Sequence, residues 1–414
     1  MVVRTGAKAW ASVLTSSFPA FVLLQGSLYA AYGTESPFLP SFLGERGLIP
    51  GEIGAVLAAG TLMRLAAAPV AGHLADRYDA TRAVLGVAAA AAGLISFVYL
   101  TGYGFWPLLA VSVLHASAIA ALAPLADALA LTAAEREGTF SYGWVRGAGS
   151  AAFVFGTLVS GLLVAKAGLA SIIVSSGILF LAMAVATSRV PAAHPQEERP
   201  SLGLGGIREL LASASFRRML LVAALVIGSH ALNDGFAVIR WREAGIGPGT
   251  ISLLWSEAVA SEVLVFVFAG PWLLARLGVA RATLMAAGLG VLRWSAMATT
   301  AAVPVLAFVQ PLHGLTFALL HLANMRLIAS VVPERLAATA QTLYGTLGLG
   351  LASAVLTATA GFLYGAFGAG AFWAMAALCA LALPLASGLT QRDGSELSLD
   401  VASRFPPGRG GYRD

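Results

Sequence analysis

The chain has 414 residues, of which 58% are hydrophobic and only 11% charged, with a mean hydropathy of +0.83. Soluble domains carry about 25% charged residues, so a water-soluble enzyme or binding module is excluded and an integral membrane protein is expected. The net charge of +5 invites a nucleic-acid reading that the placement of the basic residues removes, and the single cysteine, Cys379, leaves no intrachain disulfide or cysteine-rich metal site.

Twelve apolar runs follow in chain order, at about 17–43, 52–75, 82–103, 106–131, 141–167, 168–188, 217–241, 250–275, 281–300, 302–330, 336–365 and 368–388. Each approaches the roughly 20 residues that cross a hydrocarbon core as helix, and none alternates as a barrel strand would. The first run continues past Tyr32 without a signal-peptide cleavage site, so it is retained as a span. Between the sixth and seventh runs lies a polar stretch with Pro191, Pro195, Pro200, Glu197 and Glu198. The predicted organisation is therefore a six-helix bundle over 1–190, a cytoplasmic linker over 191–216 with a short surface helix near 207–212, a second six-helix bundle over 217–390, and a disordered cytoplasmic tail over 391–414.

The basic residues decide orientation. With the N-terminus cytoplasmic, 17 of the 25 Lys and Arg, from Arg4 and Lys8 through Arg77, Arg82, Arg217 and Arg276 to Arg413, fall on the cytoplasmic side, against Arg46, Lys166, Arg240 and Arg242 outside. This is the positive-inside pattern and predicts both termini in the cytoplasm. The charge is topogenic, and no nucleic-acid partner is expected.

An internal repeat relates the halves. Glu45-Arg46-Gly47-Leu48-Ile49-Pro50-Gly51-Glu52-Ile53 recurs 198 positions later from Glu243 to Ile251, and at the same offset Gly72 falls on Gly270, Arg64 on Glu262 and His115 on His313. At 199, Arg77 and Arg82 fall on Arg276 and Arg281, and Asp127 on Arg326. Six spans separate equivalent positions, so the halves share one orientation. This is a parallel repeat about an axis along the membrane normal, with substrate expected near the midplane between two bundles that rock against each other.

Charges inside spans are expensive and should face a polar interior. Glu35, Asp127, Asp234, Glu257 and Glu262 are set against Arg64, Arg146, Arg293 and Arg326, a near-balance that predicts acid–arginine pairs. Asp127 and Arg146 lie at matching depths on spans four and five, so an ion pair is feasible. Arg146 then offers a bidentate bond to a carboxylate. A carboxylate such as Glu262 beside Arg293 changes proton occupancy as the arginine moves in or out, with a static salt bridge to Arg64 or Arg293 as the other reading. Glu35 sits where Gly33, Pro37 and Pro40 weaken the first span; it and Asp234 are either substrate contacts or packing carboxyls. Tyr32, Asn233, Trp255 and Gln310, with Gln25, Tyr29 and Asn324, are candidate cavity-lining groups. His115 and His321 read as hydrogen-bonded core residues, with no metal site expected. Gly345, Gly348, Gly350 and Gly361 read as close helix-packing points. Neither a nucleotide-binding G-x-x-x-x-G-K-[ST] nor a hydrolase motif is present, so no enzyme activity and no cofactor are expected.

The loop Gly72-His73-Leu74-Ala75-Asp76-Arg77-Tyr78-Asp79-Ala80-Thr81-Arg82 resembles the G-x-L-A-D-R-x-G-R-[RK] signature of the major facilitator superfamily, without its second glycine and one basic residue. Its counterpart over 270–281 keeps Arg276 and Arg281 but has Ala275 for the acid. The resemblance assigns Gly72, Asp76, Arg77 and Arg82 to a cytoplasmic gate, in which Asp76 can accept bonds from a helix N-terminus or an arginine. Within the superfamily, the blocks Pro124 to Leu129, Tyr142 to Arg146, Trp255-Ser256 with Glu262-Val263, Val291 to Trp294, Gln310 to His313 and His321 to Arg326 are similar to the phenylpropionic acid transporter subgroup, near the lactose/proton symporters. That resemblance implies substrate contact by Asp127 and Arg146, and proton coupling by Arg293, His313 and an acid on span eight, Glu262 first and Glu257 second. Thr316 replaces the proton-carrying acid of the lactose type, one turn past the histidine. The implied protein is a monomeric proton-coupled symporter of a bacterial inner membrane whose substrate is a small organic solute, an aromatic carboxylate foremost. A proton-coupled exporter, a sugar or nucleoside symporter and a non-transporting receptor are the alternatives.

Overall fold

The computed structural model describes residues 16–192 and 204–389. Arg4, Lys8, residues 193–203 of the expected linker and the expected tail lie outside the described residues. The described chain is helical with no strand, as apolar runs without alternation require.

Among the described residues, nine helical stretches are long and apolar enough to cross a membrane. Two of them, Pro248–Thr299 and Glu334–Ser387, would each run roughly 80 Å if straight. Both fold back at a glycine in the left-handed region, Gly278 at φ 71° and Gly368 at φ 53°, and so supply two crossings apiece. With Phe18–Glu35 and its continuation Leu39–Glu45 as the first, the helices accommodate the twelve expected spans. The surface helix expected in the linker is Leu204–Ala212, tied by Glu209 to Arg335 at 2.6 Å.

Every third span is broken. The first is interrupted between Glu35 and Leu39, the fourth between Ile119 and Leu122, the seventh between Val226 and His230, and the tenth between Val309 and Gly314. Local sequence explains each break: Pro37 in the first, Pro124 just past the break in the fourth, Gly228-Ser229 in the seventh and Pro311 in the tenth remove a backbone donor or loosen the helix. Backbone groups freed inside a membrane must face protein or a water-filled cavity. These spans accordingly carry Glu35, His115, Asp127, His230, Asp234, Gln310 and His313. A π-helical segment, Gly314–Leu319, follows His313 directly, and another, Val265–Ala269, begins three residues after Glu262; such bulges frequently mark functional positions.

Two buried cores form. One belongs to the first six spans, around Phe21, Leu24, Leu28, Leu85, Phe180 and Met183. The larger joins the last six, around Phe216, Trp241, Trp294 and Phe372, and extends to Phe38, Phe42, Ile53 and Ile173. Those four sit toward one end of the molecule, which the chain seals. A Cβ on Gly54 would stand 2.8 Å from the Thr357 carbonyl oxygen, and one on Gly361 would stand 2.5 Å from that of Pro50; glycine lets spans two and eleven touch there. Gly161 performs the same service between spans five and eight, against Pro248 and Ser252. Glu45 and Arg242 add an ion pair at 3.1 Å between the halves, and the Tyr364 hydroxyl donates to Glu243 at 2.8 Å. Gly350 is a packing point against Leu65, whereas Gly345 is not, having no atom within 4 Å of an added Cβ; it lines the central cavity instead.

The signature loop lies at the opposite end. Asp79, at the place of the signature's second glycine, adopts φ 45°, so the turn keeps the glycine's conformation without the glycine. Asp76 is exposed and its carboxylate makes no bond among the described residues, contrary to the expected gate contact. Arg82 donates to the Val190 carbonyl at 3.3 Å.

Candidate functional site

A cavity of about 640 Å³ occupies the centre, between the first six spans and the last six. Its wall includes Thr61, Arg64 and Phe153 from one half and Asn233, Asp234, Trp255, Arg293, Gln310, His313 and Phe317 from the other. A side chamber of about 440 Å³, lined by Tyr32, Glu35, Arg64 and Phe153, adjoins it in the first half. Asp234 lies deep between the halves yet is exposed. With the Glu45–Arg242 end sealed, the other end is the route by which solvent reaches it.

The second half supplies a continuous polar chain. Arg293 is fully buried. Its Nη2 donates to Gln310 Oε1 at 2.8 Å and its Nη1 lies 3.2 Å from His313 Nδ1, while His313 Nε2 lies 3.2 Å from Glu262 Oε2. A guanidinium can only donate, so Nδ1 is the acceptor, Nε2 carries the imidazole proton, and that proton is given to Glu262. Every bond in the chain is satisfied with a neutral imidazole and an ionised carboxylate. Asp234 adds a negative charge within electrostatic reach of Arg293 and accepts from Asn233 Nδ2 at 3.1 Å.

His230 extends this wall. Its ring stands 5.2 Å from that of His313 and 5.1 Å from that of Trp294, its Nδ1 faces the Val226 carbonyl at 3.0 Å, and its Nε2 lies 3.0 Å from Thr316 Oγ1. Sequence reasoning missed His230. The available signal was its place at the Gly228-Ser229 interruption, since a histidine at a helix break is more exposed to a cavity than one in an unbroken apolar helix. Thr316, at the position of the lactose-type acid, thus serves a histidine from span seven.

In the first half Glu35 Oε1 approaches His115 Nδ1 at 4.0 Å, and His115 Nε2 meets Ser96 Oγ at 3.2 Å. His115 and His313, 198 positions apart, each stand beside a carboxylate. His321 lies 3.1 Å from the Tyr344 hydroxyl, a hydrogen-bonded core histidine. No group of three or more potential metal ligands occurs among the described residues.

The expectation of acid–arginine pairing inside the spans fails. Among the described residues the in-span acids that meet a basic group are Glu35 and Glu262, and both meet histidines. Asp127 and Arg146 do not form the expected ion pair. Asp127 accepts from Gln25 Nε2 at 2.7 Å, while Arg146 stacks over the Tyr29 ring at 4.4 Å. Uncharged partners solvate both ends, which removes the need for a direct pair. Neither residue lines the two central chambers, although Arg146 lies within electrostatic reach of Glu262 across the gap between the halves. Arg64 pairs with neither Glu262 nor Glu35; its Nη2 donates to Thr61 Oγ1 at 3.1 Å. Glu257 is half-buried, outside both chambers and apart from the Arg293 chain. Tyr32 contributes a wall to the side chamber, but its hydroxyl is spent on the Ile119 carbonyl at 3.2 Å.

Comparison with known proteins places this architecture. The model of the MFS_1 like family matches residues 24–375. An Escherichia coli (strain K12) protein described as a probable 3-phenylpropionic acid transporter is 32% identical over 357 residues, covering 86% of this chain and 93% of the relative. The maltose permease of Geobacillus stearothermophilus is 27% identical over 365 residues, covering 88% and 91%. Among solved structures, the nucleoside transporter NupG superposes with a TM-score of 0.77 at 16% identity, covering 89% of this chain and 97% of that one. The D-xylose-proton symporter does so at 0.63 and 15%, covering 90% and 97%. With a family model matching most of its length and membrane transporters as its relatives, this multi-pass helical bundle around a central cavity is a membrane transporter and not an enzyme, and the chain belongs to the MFS_1 like family of the major facilitator superfamily.

Proposed function

We propose that the protein is a proton-coupled symporter that imports a small organic solute, an aromatic monocarboxylate foremost, by alternating access across a bacterial inner membrane with both termini cytoplasmic. The observation that carries the reading is the unbroken chain Glu262–His313–Arg293–Gln310, whose last three members line the cavity. Protonation of Glu262 replaces a charge-assisted bond by a neutral one of roughly half the strength and loosens span eight from span ten at the π-helical segments. A proton shifts a conformational equilibrium only through a difference in its affinity for the two states, and this bond provides one. The sealed Glu45–Arg242 end is then the outer face, and the cavity is open inward.

The substrate assignment rests on the 32% identical phenylpropionate-type relative and on the aromatic wall of Phe153, Trp255 and Phe317. A polyhydroxylated solute is the second reading, favoured by Asn233 and Asp234 on the same wall and by the maltose permease relative. The test is uptake of labelled 3-phenylpropionate and of labelled maltose into liposomes of purified protein, with an acid-outside gradient imposed or collapsed. Gradient-dependent accumulation of the acid supports the first reading, and of maltose the second. Flux that is indifferent to the gradient refutes proton coupling.

A further inference from the structure

Four arginines lie inside the spans, and the structure distinguishes them by what their guanidinium groups are already doing. Arg293 is wholly buried with both terminal nitrogens engaged. Arg146 is stacked on Tyr29 and outside both chambers. Arg326 is exposed and also outside them. Arg64 alone of the four is exposed and lines both the central cavity and the side chamber. Of the five N–H donors that a guanidinium carries, only one is used among the described residues, on Thr61 Oγ1 at 3.1 Å. No carboxylate stands within ion-pair distance, because Glu35, the acid on the same chamber, is turned toward His115.

Such a cation, on span two at the junction of two chambers, is held open toward whatever enters. From this we infer that Arg64 is the anion anchor of the transport site: it takes the carboxylate of an aromatic monoanion through two parallel N–H···O bonds, with the ring of that substrate against Phe153. Phe153 lines both chambers beside Arg64, so the polar and apolar ends of one small molecule are served from the same side. The bidentate geometry suits arginine and not lysine. The Glu262–His313–Arg293 chain is left intact by this mode, because the anchor stands on span two and Arg293 stays wholly buried in its own contacts. The anchor assigned from the resemblance, Arg146, is replaced by one on a different span.

This inference rests on the aromatic-carboxylate reading above, and calorimetric titration of the purified full chain separates the two. The probes are 3-phenylpropionate and its uncharged amide, which share a ring and a chain and differ in charge. Wild type should bind the acid in preference to the amide. Arg64→Gln should erase that preference, weakening the acid roughly 10- to 100-fold while leaving the amide's affinity in place, an outcome that misfolding does not produce. Arg64→Lys keeps the charge without the fork and should restore the preference only in part. An Arg64→Gln protein that keeps the wild-type acid-over-amide ratio overturns the inference and leaves the substrate reading standing. Loss of the preference in Arg146→Gln but not in Arg64→Gln overturns it too. A wild type that favours neither probe refutes the aromatic-carboxylate reading, and the anchor with it.

Discussion

Replacing Glu262 by glutamine tests the proposed proton relay with little disturbance of shape. The amide keeps the length of the side chain and its oxygen still accepts from His313 Nε2, now 3.2 Å from the carboxylate. What is lost is the charge: a hydrogen bond to an ionised group is worth about 1.5–3 kcal/mol and a neutral one about 0.5–1.5 kcal/mol. Glu262 is 27% exposed, so solvent screens part of that difference. A cost of about 1 kcal/mol leaves the fold intact. Transport should change far more than stability, because a permanently neutral side chain cannot bind or release a proton. In liposomes, Glu262→Gln should accumulate no labelled 3-phenylpropionate above the external concentration when the outside is made acid, yet should still exchange labelled for unlabelled substrate when both sides hold equal concentrations. Exchange needs only the loaded cavity to alternate; accumulation needs the proton to be taken up and given back. Wild-type accumulation by the variant would remove Glu262 from the coupling path, and loss of exchange together with accumulation would show that the carboxylate is required for the conformational change itself.

The sealed end gives two further predictions, both read by labelling of a cysteine placed at Ser353 on the cavity wall, in a Cys379→Ala background, with an impermeant maleimide from the Glu45 side. The Glu45–Arg242 pair is 53% and 33% exposed and is worth about 0.2–1 kcal/mol, so Glu45→Gln should raise labelling only modestly, and unchanged labelling in both Glu45→Gln and Arg242→Gln would remove the pair from the seal. Gly361→Ala places a methyl 2.5 Å from the Pro50 carbonyl oxygen and should open that end more strongly, by roughly 1–3 kcal/mol of overpacking; labelling no faster than in the parent would show that the helices there have room. At the signature loop, Asp79→Val forces a β-branched residue into a left-handed conformation and should destabilise by roughly 1–3 kcal/mol, whereas Asp79→Gly should match or exceed the parent in thermal unfolding. Equal melting of all three would mean that the turn relaxes.

The in-span charges show where sequence reasoning stopped. Their presence was plain from the residue types, because an ionisable group in an apolar run must face a polar interior. Their partners were not. Counting acids against arginines suggested acid–arginine pairs, but a buried charge needs hydrogen bonds, not specifically an opposite charge. Here Gln25, Tyr29, Thr61, Gln310 and two histidines, His115 and His313, supply the contacts. Asp127 and Arg146 have matching depths on adjacent spans, yet helix rotation decides which way each faces, and rotation is set by packing against neighbours. For Glu262, His313 and Arg293 the family resemblance proposed a group from three separate spans, and the structure brings those three residues together.

Composition and the absence of alternation by themselves determined that the chain crosses a membrane as helices, because only helices and closed barrels satisfy so many backbone groups in an apolar medium and a barrel needs alternating strands. The repeat at an offset of 198 and the proline and glycine punctuation indicated two like halves and weak points in the spans, both of which are local properties of the chain. Only the tertiary structure decided that Arg64 faces the cavity while Arg146 does not, that His230 joins the wall, and that the Glu45 end is shut. Each of these depends on the rotation of one helix against another, and that is fixed by contacts between residues far apart in sequence, such as Gly54 with Gly361 and Gly161 with Ser252.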